Sequence, residues 1–327
     1  MRSACATLLV SALVTSGLAA SPSHAADGVA SDPVSYDVVN TNSTPVPCAG
    51  DGRTHQLRGR LVTPGSGATG RVNVLVHDIT AGGWFWHLRQ HPAYDYASRL
   101  AERGETSLVL DRLGYDESPL TNGWRTCLGA QATMLHQVVQ QLRQEGYDEV
   151  VLHGHSVGAA LAELEAARFQ DVDGLVLMSW SDTGASFRAF AEAGKQHATC
   201  LVRPDGYAPY GATAADFQEL LFATAPDDVR STATALRNPD PCGDAFSLST
   251  LLVVNNLVTR LIDVPVLLLF GERDALNRPG AARWQPLAYS PVAEVTSYVV
   301  PGAGSALPLE ASAPQTRERV LEWLSHL

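Results

Sequence analysis

The run Val150-Val151-Leu152-His153-Gly154-His155-Ser156-Val157-Gly158-Ala159-Ala160-Leu161 decides how this chain folds. Its first four residues read as a short buried strand, and Leu161, Leu164 and Ala167 continue at helical spacing. A strand that runs straight into a helix leaves one residue on a tight, strained turn, here Ser156. Gly154 and Gly158 flank it because side chains would clash in that turn. The pentapeptide alone arises by chance, but the preceding strand and following helix make it specific. Ser156 is the candidate nucleophile.

The same rhythm extends on both sides. Val72 to Val76, Ser107 to Leu110, Leu175 to Met178, Val264 to Phe270 and Val295 to Val300 are further apolar runs, as expected of strands buried on both faces of a parallel sheet. Between them Tyr96, Ala97 and Leu100 recur at helical spacing before Gly104. Leu135, Val138, Val139 and Leu142 do so before Gly146, and Val320, Leu321 and Leu324 do so at the end. Strand and helix in alternation predict a doubly wound, mostly parallel α/β sheet. Val34 to Val39 and Leu57 to Val62 carry turn residues around them and predict antiparallel strands at one edge. Residues 181–263 separate two strands by far more than an ordinary crossover. Helical patterns at Phe187 to Gln196, Ala214 to Thr224 and Leu248 to Leu261 make this interval a helical lid inserted over the sheet. The core is then 26–180 with 264–327.

The ends and the cysteines place the chain outside the cell. Arg2, the apolar run Ala4 to Ala20, and Ser23-His24-Ala25 form a secretory signal over residues 1–25. Pro22 and the polar stretch behind it argue against a buried first helix. Cys5 leaves with that segment, and Cys48, Cys127, Cys200 and Cys242 remain, an even number that predicts two disulfides. Of the three pairings possible, Cys200 with Cys242 and Cys48 with Cys127 is favoured, because the first pair falls inside the insertion. No two cysteines are close enough in sequence for a zinc site. The 327 residues carry 23 Lys+Arg against 34 Asp+Glu, a net charge of -11, with Lys195 the sole lysine. That balance excludes a basic face for nucleic acid or an anionic membrane. Asn42-Ser43-Thr44 fits the N-glycosylation pattern.

Two more motifs follow strand ends. His77-Asp78-Ile79-Thr80-Ala81-Gly82-Gly83 comes directly after Val72 to Val76, and Gly271-Glu272-Arg273-Asp274 after Val264 to Phe270. With the Ser156 turn and the strand order, they make residues 55–327 resemble the α/β-hydrolase superfamily, in particular exported, lidded esterase-like or lipase-like members. The resemblance implies a serine-histidine-acid hydrolase acting on an ester, thioester, lactone or amide without a metal or organic cofactor. Ser156 would be the nucleophile, Asp274 the acid that orients the imidazole, and the backbone N–H groups of Ile79 and Val157 the oxyanion donors. Trp84, Phe85, Trp86 and Trp180 would line an apolar substrate pocket. Asp111 to Ser118 reads as a structural turn.

Two residues depart from that pattern. Asp78 stands where a glycine is usual. In Pro301-Gly302-Ala303-Gly304-Ser305-Ala306-Leu307-Pro308-Leu309-Glu310, Ser305 occupies the position of the general-base histidine. A serine hydroxyl does not take up a proton near neutral pH. Ten histidines are present, so three readings compete. In the first, Ser305 interrupts an otherwise intact hydrolase. In the second, His87, His91 or His197 serves Ser156, with His155 a weaker choice because the residue before the nucleophile points away. In the third, the pocket binds a ligand or performs a cofactor-free rearrangement.

Overall fold

The computed structural model describes residues 1, 28–66 and 68–327. Apart from Met1, the expected signal segment falls outside the described residues. The chain opens with a long antiparallel ribbon of β1 (Val29–Val39) and β2 (Thr54–Pro64). Then β3 (Arg71–Val76), α1 (Tyr96–Ala101), β4 (Thr106–Leu110), α2 (Leu128–Gln144), β5 (Glu149–His155), α3 (Val157–Phe169) and β6 (Gly174–Met178) alternate. Residues 181–263 hold α4 (Phe187–Cys200), β7 (Tyr207–Ala208), α5 (Ala214–Leu221), α6 (Asp227–Leu236), β8 (Asp240–Pro241) and α7 (Cys242–Val258). The sheet resumes with β9 (Val266–Gly271), α8 (Ala281–Trp284), β10 (Val295–Val300) and α9 (Ala313–Leu324).

Eight strands form one sheet in the order β1-β2-β4-β3-β5-β6-β9-β10, and β7 pairs with β8 apart from it. From β4 to β10 every pairing is parallel, while β1 and β2 run antiparallel at the edge. The apolar runs behave as their composition demands. β3, β4, β6 and β9 are buried along their whole length, so each Val or Leu on them contributes about 1.5–3 kcal/mol of transfer free energy. β10 differs: it is the far edge strand, and its side chains are mostly half-buried because no strand among the described residues pairs beyond it. Pro33 within β1 costs no ladder bond that matters, since β1 also has one open edge.

Inside 181–263, α4 begins where Ser186 caps it by accepting from the Ala189 N–H at 3.1 Å. α7 starts earlier than its apolar spacing implies, directly at Cys242 after Pro241. The sequence reading missed α6, although Pro226 with Asp227 and Asp228 in the first turn is a start signal. Both disulfides are formed with the favoured pairing. Cys200–Cys242 joins the last residue of α4 to the first of α7, and Cys48–Cys127 joins the loop after β1 to the residue that caps α2. Among the described residues no helix is long and apolar enough to cross a membrane.

Candidate active site

Ser156 sits between β5 and α3 at φ 49°, ψ −116°, a conformation L-residues adopt only under constraint. Its N–H donates to the Met178 carbonyl at 2.8 Å, so the turn is held against β6. Both glycines are required sterically: a Cβ at Gly154 would lie 2.3 Å from the Ala159 Cα, and one at Gly158 would lie 2.2 Å from the Val76 oxygen. The serine opens into a cavity of about 280 Å³. Asp78, Trp180, Phe190, His197 and Leu252 are among its walls, so α4 and α7 of the insertion close it.

The N–H expected to serve as an oxyanion donor meets a side chain of the protein itself. Ile79 and Val157 both line the cavity, but the Val157 N–H donates to the Asp78 Oδ1 at 2.9 Å. Asp78 is 3% exposed, and burial pushes its carboxyl up to about 7 against the pull of the Val157 N–H, the Ser156 hydroxyl, the Arg112 charge and the Ile79 N–H. The donors expected to face a substrate oxygen therefore face a carboxyl group. A glycine at this position has no side chain with which to do this.

A rigid support holds Asp78 there. The His77 Nε2 accepts from the Arg112 N–H at 3.1 Å, so Nδ1 carries the ring proton and donates to the Asp78 carbonyl at 2.7 Å. Burial and the neighbouring Arg112 charge keep that imidazole neutral, with its pKa well below the ordinary range. Arg112 pairs with Asp244 at 2.9 Å, both fully buried, and stacks over Tyr115 at 4.4 Å. Asp240 accepts from the Thr80 N–H at 2.5 Å and from the Gln196 amide at 2.6 Å, tying the loop after β3 to α4. The turn from Asp111 to Ser118 is thus structural, as its sequence implies. Asp240 and Asp244 carry no local motif that would have revealed these contacts.

Asp274, expected to be the acid, has no imidazole partner among the described residues. Asp274 Oδ1 accepts from the Leu276 N–H at 2.8 Å, and Oδ2 accepts from the Asn277 amide at 3.0 Å. Burial raises its pKa, opposed by Asn277, the Leu276 N–H and the Ser179 hydroxyl. Ser305 is fully buried. Its carbonyl accepts from the Ser179 hydroxyl at 2.8 Å and from the His155 Nε2 at 3.0 Å, and its own hydroxyl is 3.4 Å from that Nε2. Glu310 clamps the same loop by accepting from the N–H groups of Ala223, Thr224 and Gly304 at 2.7, 2.6 and 3.1 Å.

The alternative histidines are engaged elsewhere. His87 bridges Asp95 at 2.9 Å and Ser31 at 3.1 Å, and His91 meets Thr232 at 2.8 Å. His155 turns away behind the serine, stacked on Phe85 at 4.4 Å, and burial lowers its pKa to about 4. His197 does reach the cavity wall, with its Nε2 donating to the Ala245 carbonyl at 2.9 Å. Among the described residues no imidazole is hydrogen-bonded to the Ser156 hydroxyl.

Of the four aromatic residues expected to line the pocket, only Trp180 does. Phe85 and Trp86 are core residues, 1% and 0% exposed, because the 3₁₀ turn Gly83–Phe85 directs them inward against His155 and Tyr96. Trp84 borders a separate surface groove with Arg60 and Asp111. Phe190, His197 and Leu252 take the pocket role instead, and only the packing of the insertion brings them there.

The fold is shared with solved structures of other chains. An esterase from Thermogutta terrifontis superposes with a TM-score of 0.65 at 20% identity, over 89% of this chain and 98% of that one. An esterase from Exiguobacterium antarcticum gives 0.64 at 15% identity, over 88% and 100%. A monoacylglycerol lipase from Paleococcus ferrophilus gives 0.61 at 18% identity, over 78% and 95%. No curated protein sequence matches the chain. The model of the alpha/beta hydrolase family matches residues 74–319, a span from β3 through most of α9 that takes in Asp78, Ser156, Asp274 and Ser305. On that match the chain belongs to the alpha/beta hydrolase family.

Proposed function

We propose that this is an exported α/β-hydrolase-fold protein that takes an apolar ester, thioester, lactone or amide into the Ser156 cavity and does not hydrolyse it at a serine hydrolase's rate. The observation that carries this reading is the Asp78 carboxyl on the Val157 N–H. Acyl transfer builds negative charge on the substrate oxygen, and donors aimed at that charge are worth about 3–4 kcal/mol each. Here a carboxyl group occupies the donors, and above pH 7 it carries negative charge itself. Ser305 removes the base that would take the Ser156 proton, so the relay fails at two positions. Residues 181–263 act as the lid over the cavity, and the two disulfides fit an oxidising, extracellular setting. Below pH 7 the protonated Asp78 donates to a ligand carbonyl, so binding is tighter in acid.

The test is turnover of 4-nitrophenyl butyrate. Wild type is expected to match Ser156→Ala, and Ser305→His alone to gain no more than a few-fold, because the oxyanion donors stay occupied. Asp78→Gly combined with Ser305→His is expected to exceed wild type by about 100-fold or more. Wild-type turnover well above Ser156→Ala would overturn the reading, as would a folded double variant that stays at the Ser156→Ala level.

A further inference from the structure

Away from the cavity, α2 and α3 bring together His136, Glu165 and Asp171, the last just beyond the left-handed Gln170 that ends α3. One ligand atom from each, an imidazole nitrogen and two carboxylate oxygens, lies within 4.8 Å of the other two. Glu165 is 0% exposed, and neither of its oxygens has a hydrogen-bond partner among the described residues. A buried carboxylate with no donor is costly, on the order of several kcal/mol, unless a cation meets it.

The ligand atoms sit at separations on either side of those that a bound metal imposes. His136 Nδ1 lies 2.8 Å from Asp171 Oδ2 and 3.7 Å from Glu165 Oε1, yet Nδ1 has no aligned hydrogen-bond partner among the described residues. Bonds of about 2.0–2.1 Å from a tetrahedral Zn²⁺ place its ligand atoms about 3.3 Å apart, between those two separations. His136 is stacked on Phe169 at 3.9 Å and 8°, which fixes the ring plane, and its side chain is 25% exposed, which leaves a way in. The Gln140 amide donates to Asp171 Oδ2 at 2.5 Å and orients that carboxylate. The nearby Arg143 is spent on Asp173, so it does not neutralise the pair.

We propose that His136, Glu165 and Asp171 form a structural site for a divalent transition cation, of which Zn²⁺ is the best match to one imidazole and two carboxylates. The ion would clip α2 to the end of α3 and takes no part in events at Ser156. The competing account is a proton shared between Glu165 and Asp171, with no metal.

Zinc chloride titrated into the EDTA-treated, disulfide-intact protein tests this by calorimetry and thermal melting. One ion per chain and a Tm rise of about 5 °C are expected at saturating zinc. Glu165→Gln and His136→Gln should each weaken binding at least tenfold and abolish that rise. Because Glu165 is buried, Asp171→Asn, at a partly exposed position, is the second acidic variant and should weaken binding similarly. No stabilisation of wild type by zinc would overturn the proposal in favour of the shared proton. So would folded variants that bind as tightly as wild type.

Discussion

Asp78 links the chemistry of the cavity to stability through a single carboxyl. Its pKa rises from 3.8 to about 7 on folding because burial disfavours the charge. For a carboxyl raised in this way, the folded state gains relative stability below the unfolded value and loses it as pH climbs from 3.8 to 7. Asp78→Asn abolishes that titration. Urea midpoints of both proteins at pH 4 and pH 8 should therefore show the variant gaining on wild type by a few kcal/mol, with about 4 as the ceiling set by three pH units. A difference that does not change with pH would show that the carboxyl is not held neutral in the fold. At Ser305 the expected consequence is kinetic, because its hydroxyl, 3.4 Å from the His155 Nε2, does not take up a proton near neutral pH.

At the scale of elements, the insertion depends on one covalent tie. Cys200–Cys242 binds α4 to α7, the two helices that contribute Phe190, His197 and Leu252 to the cavity wall. Few apolar side chains secure α4 otherwise: Phe187 is 88% exposed and Phe190 51%. Replacing both cysteines by alanine is expected to cost about 2–4 kcal/mol. Limited proteolysis should then cut within 181–263 before it cuts the sheet core. Cleavage that begins instead in the buried strands would show that the insertion is not the weaker unit. The elbow is tied differently, by the Ser156 N–H on the Met178 carbonyl, and it should keep its geometry in the cysteine variant.

Taken whole, the molecule buries many ionisable groups, and their signs set its pH response. His77, His153 and His155 are all lowered by burial, the last two to about 3 and about 4. A lowered histidine weakens the fold only below its unfolded value of about 6.5, so above that pH these three contribute no slope. Asp111 and Asp240 are raised to about 7 and Glu163 well above its ordinary value, each first by burial. These carboxyls go on losing stability as pH climbs past 6.5. Thermal midpoints should accordingly fall by a few degrees between pH 6.5 and pH 8. A rise over the same interval would mean that these carboxyls are ionised in the fold at no cost.

Local pattern was enough for the sheet, its antiparallel edge, the Ser156 turn and the long interval at 181–263. Periodicity and glycine placement act over a few residues, and each of those features is local. The two departures, Asp78 and Ser305, were also visible one residue at a time. Their joint meaning was not, because it depends on groups far apart in the chain: the Asp78 carboxyl meets the Val157 N–H across 79 positions, and Ser305 meets His155 across 150. The same holds for Trp84, Phe85 and Trp86, whose aromatic character is equally at home in a pocket or a core, and for His136, Glu165 and Asp171, which share no motif. Sequence by itself determined which backbone this chain builds, since propensity and burial pattern are written residue by residue. Tertiary packing alone decided what the expected oxyanion donors face, because a hydrogen bond belongs to whichever group the folded chain brings within 3 Å.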